Sequence, residues 1–292
     1  MKITNKKNLP EGYMKFLKTR ESATDMGKLT ATQILKGVKE IILEKRHWGQ
    51  YEVDASEFIW AVFGSAVHSL LEHEGTQEIT EERLFEEVLG IHFSGQLDNY
   101  NLETQEITDY KTASVWKIIY NDFSDWHRQG LIYAWLLKKA GFETKKVVFQ
   151  VMLKDHSKSK ARYDRNYPQE PLHTIEFPVT PQDIKDIEVF IFEKIRAYKE
   201  NLKLNDNDIE PCTMEERWQK PAKWAVMKNG RKSAVKLHDD KESALEHSKT
   251  LGSGHYIEER KETPTKCLDY CHVKQFCNFY RRWIAENPIE QK

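Results

Sequence analysis

The chain is predicted to fold as an α/β (α+β) protein, and three observations predict it: short strand-like segments between residues 83 and 111, amphipathic helical stripes on either side of them, and a basic hairpin signal followed by closely spaced cysteines. Its 292 residues suffice for one large domain with insertions or for two small ones, and an apolar fraction of 39% can build a core. Lysine plus arginine number 45 against 46 aspartates and glutamates, so the global basic signature of a DNA-coating protein is absent. A local basic groove stays open to the chain. No apolar run approaches the length of a membrane span and the N-terminus is polar, so a soluble, cytoplasmic protein is expected.

Taken in order, residues 1–28 are polar and Lys-rich and read as an arm or cover segment. A helix is predicted from Leu29 to Arg46, with Thr30 or Thr32 as cap. From Ser56 to Glu72 the apolar positions Ile59, Val62, Phe63, Ala66, Val67, Leu70 and Leu71 form a helical stripe, and Asp54 or Ser56 can cap it. His68 lies beside that stripe, with Gly64 one turn earlier and Glu72 one turn later. Arg83 to Leu89, Ile91 to Tyr100 and Gln105 to Lys111, separated by Gly90 and the polar turn at 101–104, read as a three-strand antiparallel meander. Asp125 to Lys139 reads as an amphipathic helix ending at Gly141, with Gln129 and Tyr133 one turn apart on it. Lys154 to Arg165 is a basic stretch expected to be a loop, and the better placed of two basic stretches for substrate contact. Thr180-Pro181-Gln182-Asp183 opens a helix running to about Leu202.

The chemistry-bearing residues sit on the meander. Residues two apart on a strand share a face, so Asp109 and Lys111 project together, and Asp98 joins them if its register agrees. Two hard carboxylate ligands suit Mg²⁺ or Mn²⁺, and a neighbouring lysine supplies a fixed positive charge for an oxyanion developing at phosphorus or holds an attacking water. Alone, an Asp-x-Lys tripeptide more often describes a solvated strand edge.

In chain order, Gly64-Ser65-Ala66-Val67-His68, Gly95-Gln96-Leu97-Asp98, Asp109-Tyr110-Lys111-Thr112 and Gln129-Gly130-Leu131-Ile132-Tyr133 together resemble the RecB-type branch of the PD-(D/E)xK nuclease superfamily, over about residues 29–153. The resemblance implies a restriction-endonuclease-like core, with a helix, three antiparallel strands, a second helix and a further strand at Lys145 to Leu153 completing a mixed sheet flanked by helices. It implies His68, Asp98 and Asp109 as metal ligands with the Tyr110 backbone carbonyl as a further one, Lys111 as the catalytic lysine, and Gln129 and Tyr133 as residues that position DNA near the metal. The activity implied is Mg²⁺- or Mn²⁺-dependent hydrolysis of DNA at ends or on single strands, leaving a 5′-phosphate, in recombination or repair and compatible with a phage origin. A recombination or helicase partner stays unnamed. The competing classes are a restriction-type endonuclease and a non-catalytic DNA-binding scaffold; the intact Asp98, Asp109 and Lys111 speak against the latter.

All four cysteines lie C-terminal to this core, at Cys212, Cys267, Cys271 and Cys277, the last three as C-x₃-C-x₅-C. Four thiols suit one tetrahedral Zn²⁺ or one [4Fe-4S] cluster. Spacing alone suggests structural zinc. The resemblance suggests iron–sulfur, because the AddB subunit and the CRISPR adaptation nucleases staple this domain with a cluster; here, however, the distant cysteine follows the core and the first gap in the trio is longer than is usual. Between Cys212 and Cys267, residues 218–260 read as an inserted ββαβ unit: strands at Lys223 to Met227 and Ser233 to Leu237 flank Asn229-Gly230, a helix follows from Asp240 to Leu251, and a strand returns at His255 to Glu259. The insertion is basic and carries Trp218 and Trp224. The expected organisation is thus an arm (1–28), a nuclease core with its flanking helix (29–210), the insertion (218–260), and a Cys-rich staple formed by 212 and 261–292.

Overall fold

Backbone pairing divides the strand-rich region differently from a simple meander. The computed structural model describes residues 1–18, 24–71 and 78–288, and falls into two units, Met1–Asn205 and Asp206–Lys292. Glu72 lies outside the described residues.

Unit 1 begins with β1 (Lys2–Thr4) and α1 (Glu11–Lys18), so the expected arm has structure of its own. Next come β2 (Lys28–Thr30), α2 (Ala31–Ile34) and α3 (Val38–Arg46). The single helix expected over Leu29 to Arg46 is therefore replaced by a strand and two short helices. Thr30 is the cap, in a capping box with Gln33, and Gly37 in extended conformation begins α3. β3 (Glu52–Asp54) pairs in parallel with β1, and Asp54 caps a 3₁₀ turn that runs into α4 (Ile59–Leu71).

β4 (Glu78–Thr80), β5 (Arg83–Val88), β6 (Ile91–Gln96), β7 (Asn99–Asn101) and β8 (Glu106–Ala113) follow. The expected meander is split between Gln96 and Asn99. β6 pairs antiparallel with β5 and parallel with β2, making one sheet. β7 leaves that sheet and pairs antiparallel with β4 and β8. The seam is Leu97-Asp98: Leu97 is fully buried and its N–H reaches the Glu82 carbonyl, while the Asp98 carbonyl accepts from Glu81 N at 3.1 Å.

α5 (Val115–Ile119), α6 (Ser124–Lys139), β9 (Lys146–Leu153), α7 (Lys158–Tyr163), β10 (Leu172–Pro178) and α8 (Pro181–Asn201) complete unit 1. β8 and β9 are parallel neighbours within a mixed sheet ordered β10-β9-β8-β7-β4. The fold class is the expected one, a mixed α/β arrangement with a mixed sheet flanked by helices. The Lys154 to Arg165 stretch is only partly loop, because Ser157 caps α7 within it.

Helix α6 covers both sheets, and two glycines let it approach. A Cβ on Gly130 would lie 2.7 Å from Val147 Cγ1, and one on Gly95 would lie 2.7 Å from Leu136 Cδ1 and 3.0 Å from Tyr133 Cε1. Trp135 and Leu137 on its own buried face join Phe93 and Phe149 in the interior, the leucine and the phenylalanines each worth about 1.5–3 kcal/mol on burial. α8 follows its predicted start: Thr180 and Asp183 form the capping box behind Pro181, and Ile184, Ile187, Ile191, Ile195 and Tyr198 make its buried stripe.

In unit 2, β11 (Gln219–Lys220) precedes β12 (Lys223–Lys228), β13 (Lys236–His238), α9 (Lys241–Leu251) and β14 (His255–Arg260). Their sheet is ordered β13-β12-β14, and α9 starts from an Asp240 cap. Asn229-Gly230 is not a two-residue hairpin turn; it opens a longer connection, with Val226 opposite Lys236 and Gly230 at a φ of +75°. β15 (Thr263–Pro264) pairs with β11, and α10 (Thr265–Asp269) and α11 (Asn278–Glu286) follow. Among the described residues, no helix is long and apolar enough to cross a membrane.

Candidate active site

The site is built where the two sheets of unit 1 part. Asp98 sits on the seam, and its Oδ2 is 3.2 Å from His68 Nδ1 on α4 and accepts the Tyr110 backbone N–H at 2.8 Å. That second bond ties Asp98 to β8, between Asp109 and Lys111. Gly64 brings α4 close to β8, a Cβ there falling 3.6 Å from Thr112 Oγ1, and the His68 and Tyr110 rings meet edge-on at 6.3 Å. α4 therefore lies on the Tyr110 and Thr112 face of the strand. Asp109 and Lys111 point to the other face, toward α6.

On that face Lys111 Nζ stands 2.6 Å from Asp109 Oδ1 and donates to Gln129 Oε1 at 2.9 Å; Gln129 Nε2 in turn donates to the Tyr133 hydroxyl at 2.8 Å. The one-turn spacing of Gln129 and Tyr133 gives this relay its form. The amide orients the ammonium, and the phenol orients the amide. Burial pushes the Tyr133 phenol far up, with the nearby Asp109 charge adding to it, so the hydroxyl keeps its proton.

Asp109 is 1% exposed. Burial raises its carboxyl pKa; the Lys111 charge opposes the shift and Asp98 reinforces it. Its Oδ1 is held in the buried ion pair with Lys111. His68 is shifted upward chiefly by its hydrogen bond to Asp98, against the opposing effect of burial.

Sequence reasoning missed one member of the site. Among the described residues, His68, Glu81 and Asp98 bring their ligand atoms within 4.8 Å of one another, and no other set of three or more His, Cys, Asp or Glu does so. Glu81 has a left-handed backbone, φ +51°, in the turn between β4 and β5. Gln96 Nε2 donates to its carboxylate, and Arg83 donates to Gln96 Oε1 at 2.6 Å. Ala61, Gly64, Ser65, His68, Glu81, Gln96 and Asp98 line an open cleft of about 440 Å³. The only sequence signal for Glu81 was an acidic residue just before a predicted strand.

The donor set fits a hard divalent cation. Imidazole nitrogen and carboxylate oxygens converge on a solvent-accessible cleft, and the buried Asp109 carboxylate, paired with Lys111, lies on the neighbouring strand. A four-thiolate cluster does not fit in the same way. Cys212, Cys267, Cys271 and Cys277 are half-buried in unit 2, and the structure does not gather them into a ligand set. Cys267 lies in α10 and Cys277 sits at the start of α11, each placed by its own short helix.

No family model matches the chain, and no curated protein matches it. Among solved structures, SSO0001 aligns with a TM-score of 0.44 at 15% identity, over 63% of this chain and 81% of that one. The alkaline exonuclease LHK-Exo of Laribacter hongkongensis aligns with a TM-score of 0.38 at 15% identity, over 62% and 93%. A phage-related exonuclease of Haemophilus somnus aligns with a TM-score of 0.38 at 11% identity, over 60% and 95%. Likeness at this level assigns no activity to the chain.

Proposed function

We propose that the protein is a divalent-metal-dependent deoxyribonuclease that hydrolyses phosphodiester bonds at DNA ends or on single strands. One observation carries the reading: Lys111, held by buried Asp109 and by Gln129, lies on the strand whose Tyr110 amide ties down Asp98, and Asp98 converges with His68 and Glu81 on an open cleft. The residues that would hold Mg²⁺ or Mn²⁺ are His68, Glu81 and Asp98, with Asp109 and the Tyr110 carbonyl completing the set on the strand side. A bound ion supplies polarisation of the scissile phosphate and a lower pKa for its water.

The chain's own side chains do the rest. Lys111 places a fixed charge beside the phosphoryl oxygens as charge develops on them, and Gln129 and Tyr133 keep it from swinging away. Asp109 sets the lysine's position through the ion pair. Gln96 and Arg83 aim Glu81 at the cleft. No step in this scheme draws on the cysteines.

The test is cleavage of single-stranded, duplex and flapped DNA with Mg²⁺ or Mn²⁺, beside Asp109→Asn and Lys111→Ala. Each variant is expected to lose about 10²–10³-fold in kcat, the scale on which removal of one transition-state stabiliser acts. Wild-type inactivity on every substrate, or full activity in both variants, would sink the reading.

A further inference from the structure

The helix that carries His68 is apolar yet unusually bare. No described side chain of α4 is fully buried, and Trp60 is 57% exposed with Phe63 packed edge-on at 6.2 Å. Lys154 Nζ lies 4.1 Å from the centroid of the Trp60 ring. Ala113 and Leu153 are register partners, so the chain leaves β8 and β9 at the same edge, where Ser114 Oγ and Val115 N both donate to Asp155. The exit from β8 leads into α5, where Trp116 (53% exposed) and Tyr120 (71% exposed) stack at 5.6 Å and 22°. The exit from β9 leads to Lys158, Lys160 and Arg162, all exposed.

Two exposed aromatic faces, one of them under the Lys154 ammonium, thus lie where β8, the strand that bears Lys111, and its neighbour β9 end. We infer that these faces seat unpaired nucleotides, with Trp60 and the Trp116–Tyr120 pair as stacking platforms and Lys154 as a phosphate contact, which makes single-stranded DNA the preferred substrate class. The inference rests on the phosphodiester reading for where the strand leads. Every base has a π-face, so such platforms accept any sequence, and the lysines match the backbone charge. A duplex hides its bases from them. Trp60 precedes His68 by two helical turns, about 12 Å along the axis at 1.5 Å per residue. At about 3.4 Å per stacked nucleotide, the base on Trp60 lies roughly three to four nucleotides from the bond that is cut.

The test is binding of labelled oligothymidylate and of a blunt duplex, read by fluorescence anisotropy in Ca²⁺, with Trp60→Ala, Trp60→Phe and Lys154→Ala. Trp60→Ala is expected to weaken single-strand binding about 5- to 100-fold and to lower the ratio of single-strand to duplex affinity, with Trp60→Phe restoring most of the loss. Lys154→Ala is expected to reduce the salt slope of log K by about one. Single-strand affinity unchanged in Trp60→Ala, or an equal loss on single strand and duplex, overturns the inference even if the protein cuts DNA. A protein that cuts nothing but binds oligothymidylate through Trp60 supports it and removes the nuclease reading alone.

Discussion

At the residue scale, the decisive group is Asp98, which faces His68 and Glu81 on one side and the Tyr110 amide on the other. Its hydrogen bond to the His68 imidazole lifts that group above its ordinary range, against the opposing effect of burial. A raised folded value means that this contact stabilises the fold fully below about pH 6.5 and ceases to do so as pH rises through the folded pKa. A cation needs the same imidazole without its proton. Mn²⁺ affinity is therefore expected to fall on acidification, starting at a higher pH than for an unperturbed histidine, with buried Asp109, also shifted upward, steepening the fall at the acid end. Isothermal titration from roughly pH 5.5 to 8.5 checks this, and a flat profile would contradict it.

At the scale of elements, α6 places Gln129 and Tyr133, and it can do so only because Gly130 lies against Val147. Gly130→Ala gains up to about 1 kcal/mol in helix propensity but overpacks a β-branched, fully buried neighbour, at about 1–3 kcal/mol. A net loss of about 1 kcal/mol is expected in urea unfolding, with kcat falling as α6 lifts from the sheet. What was legible in the sequence at this scale was whatever depends on local spacing. The Asp109–Lys111 face, the Gln129–Tyr133 turn and the Thr180 cap follow from two- and four-residue periods, and the structure has each of them. What needs a partner in space was not legible. β6 and β7 read as one strand because alternation does not record which neighbour a strand pairs with. β10 offers only Ile175 and Phe177 as alternating apolar positions before Pro178, too short a pattern to stand out. Glu81 reaches the site through a left-handed turn that its residue type does not advertise.

At the scale of the whole molecule, the candidate site belongs to unit 1, and its ligands come from α4, the β4–β5 turn and the seam after β6. Binding to the folded state alone adds about 2.7 kcal/mol at a cation concentration 100-fold above Kd. For a unit of this size that is worth roughly 5–10 °C in Tm. Mn²⁺ is expected to raise the unit 1 transition by that amount in calorimetry, with EDTA reversing it and Asp98→Asn abolishing it; equal stabilisation of wild type and variant would place the ion elsewhere. The split between the two sheets then acquires a mechanical meaning. Asp98 is the last residue before the chain changes sheets, Glu81 precedes the opposite strand of one sheet, and His68 rides a helix packed on the other. An ion shared by the three is a clasp across a joint: it would hold the two sheets together at the seam, so loading the site and fixing the strand that carries Lys111 become a single event.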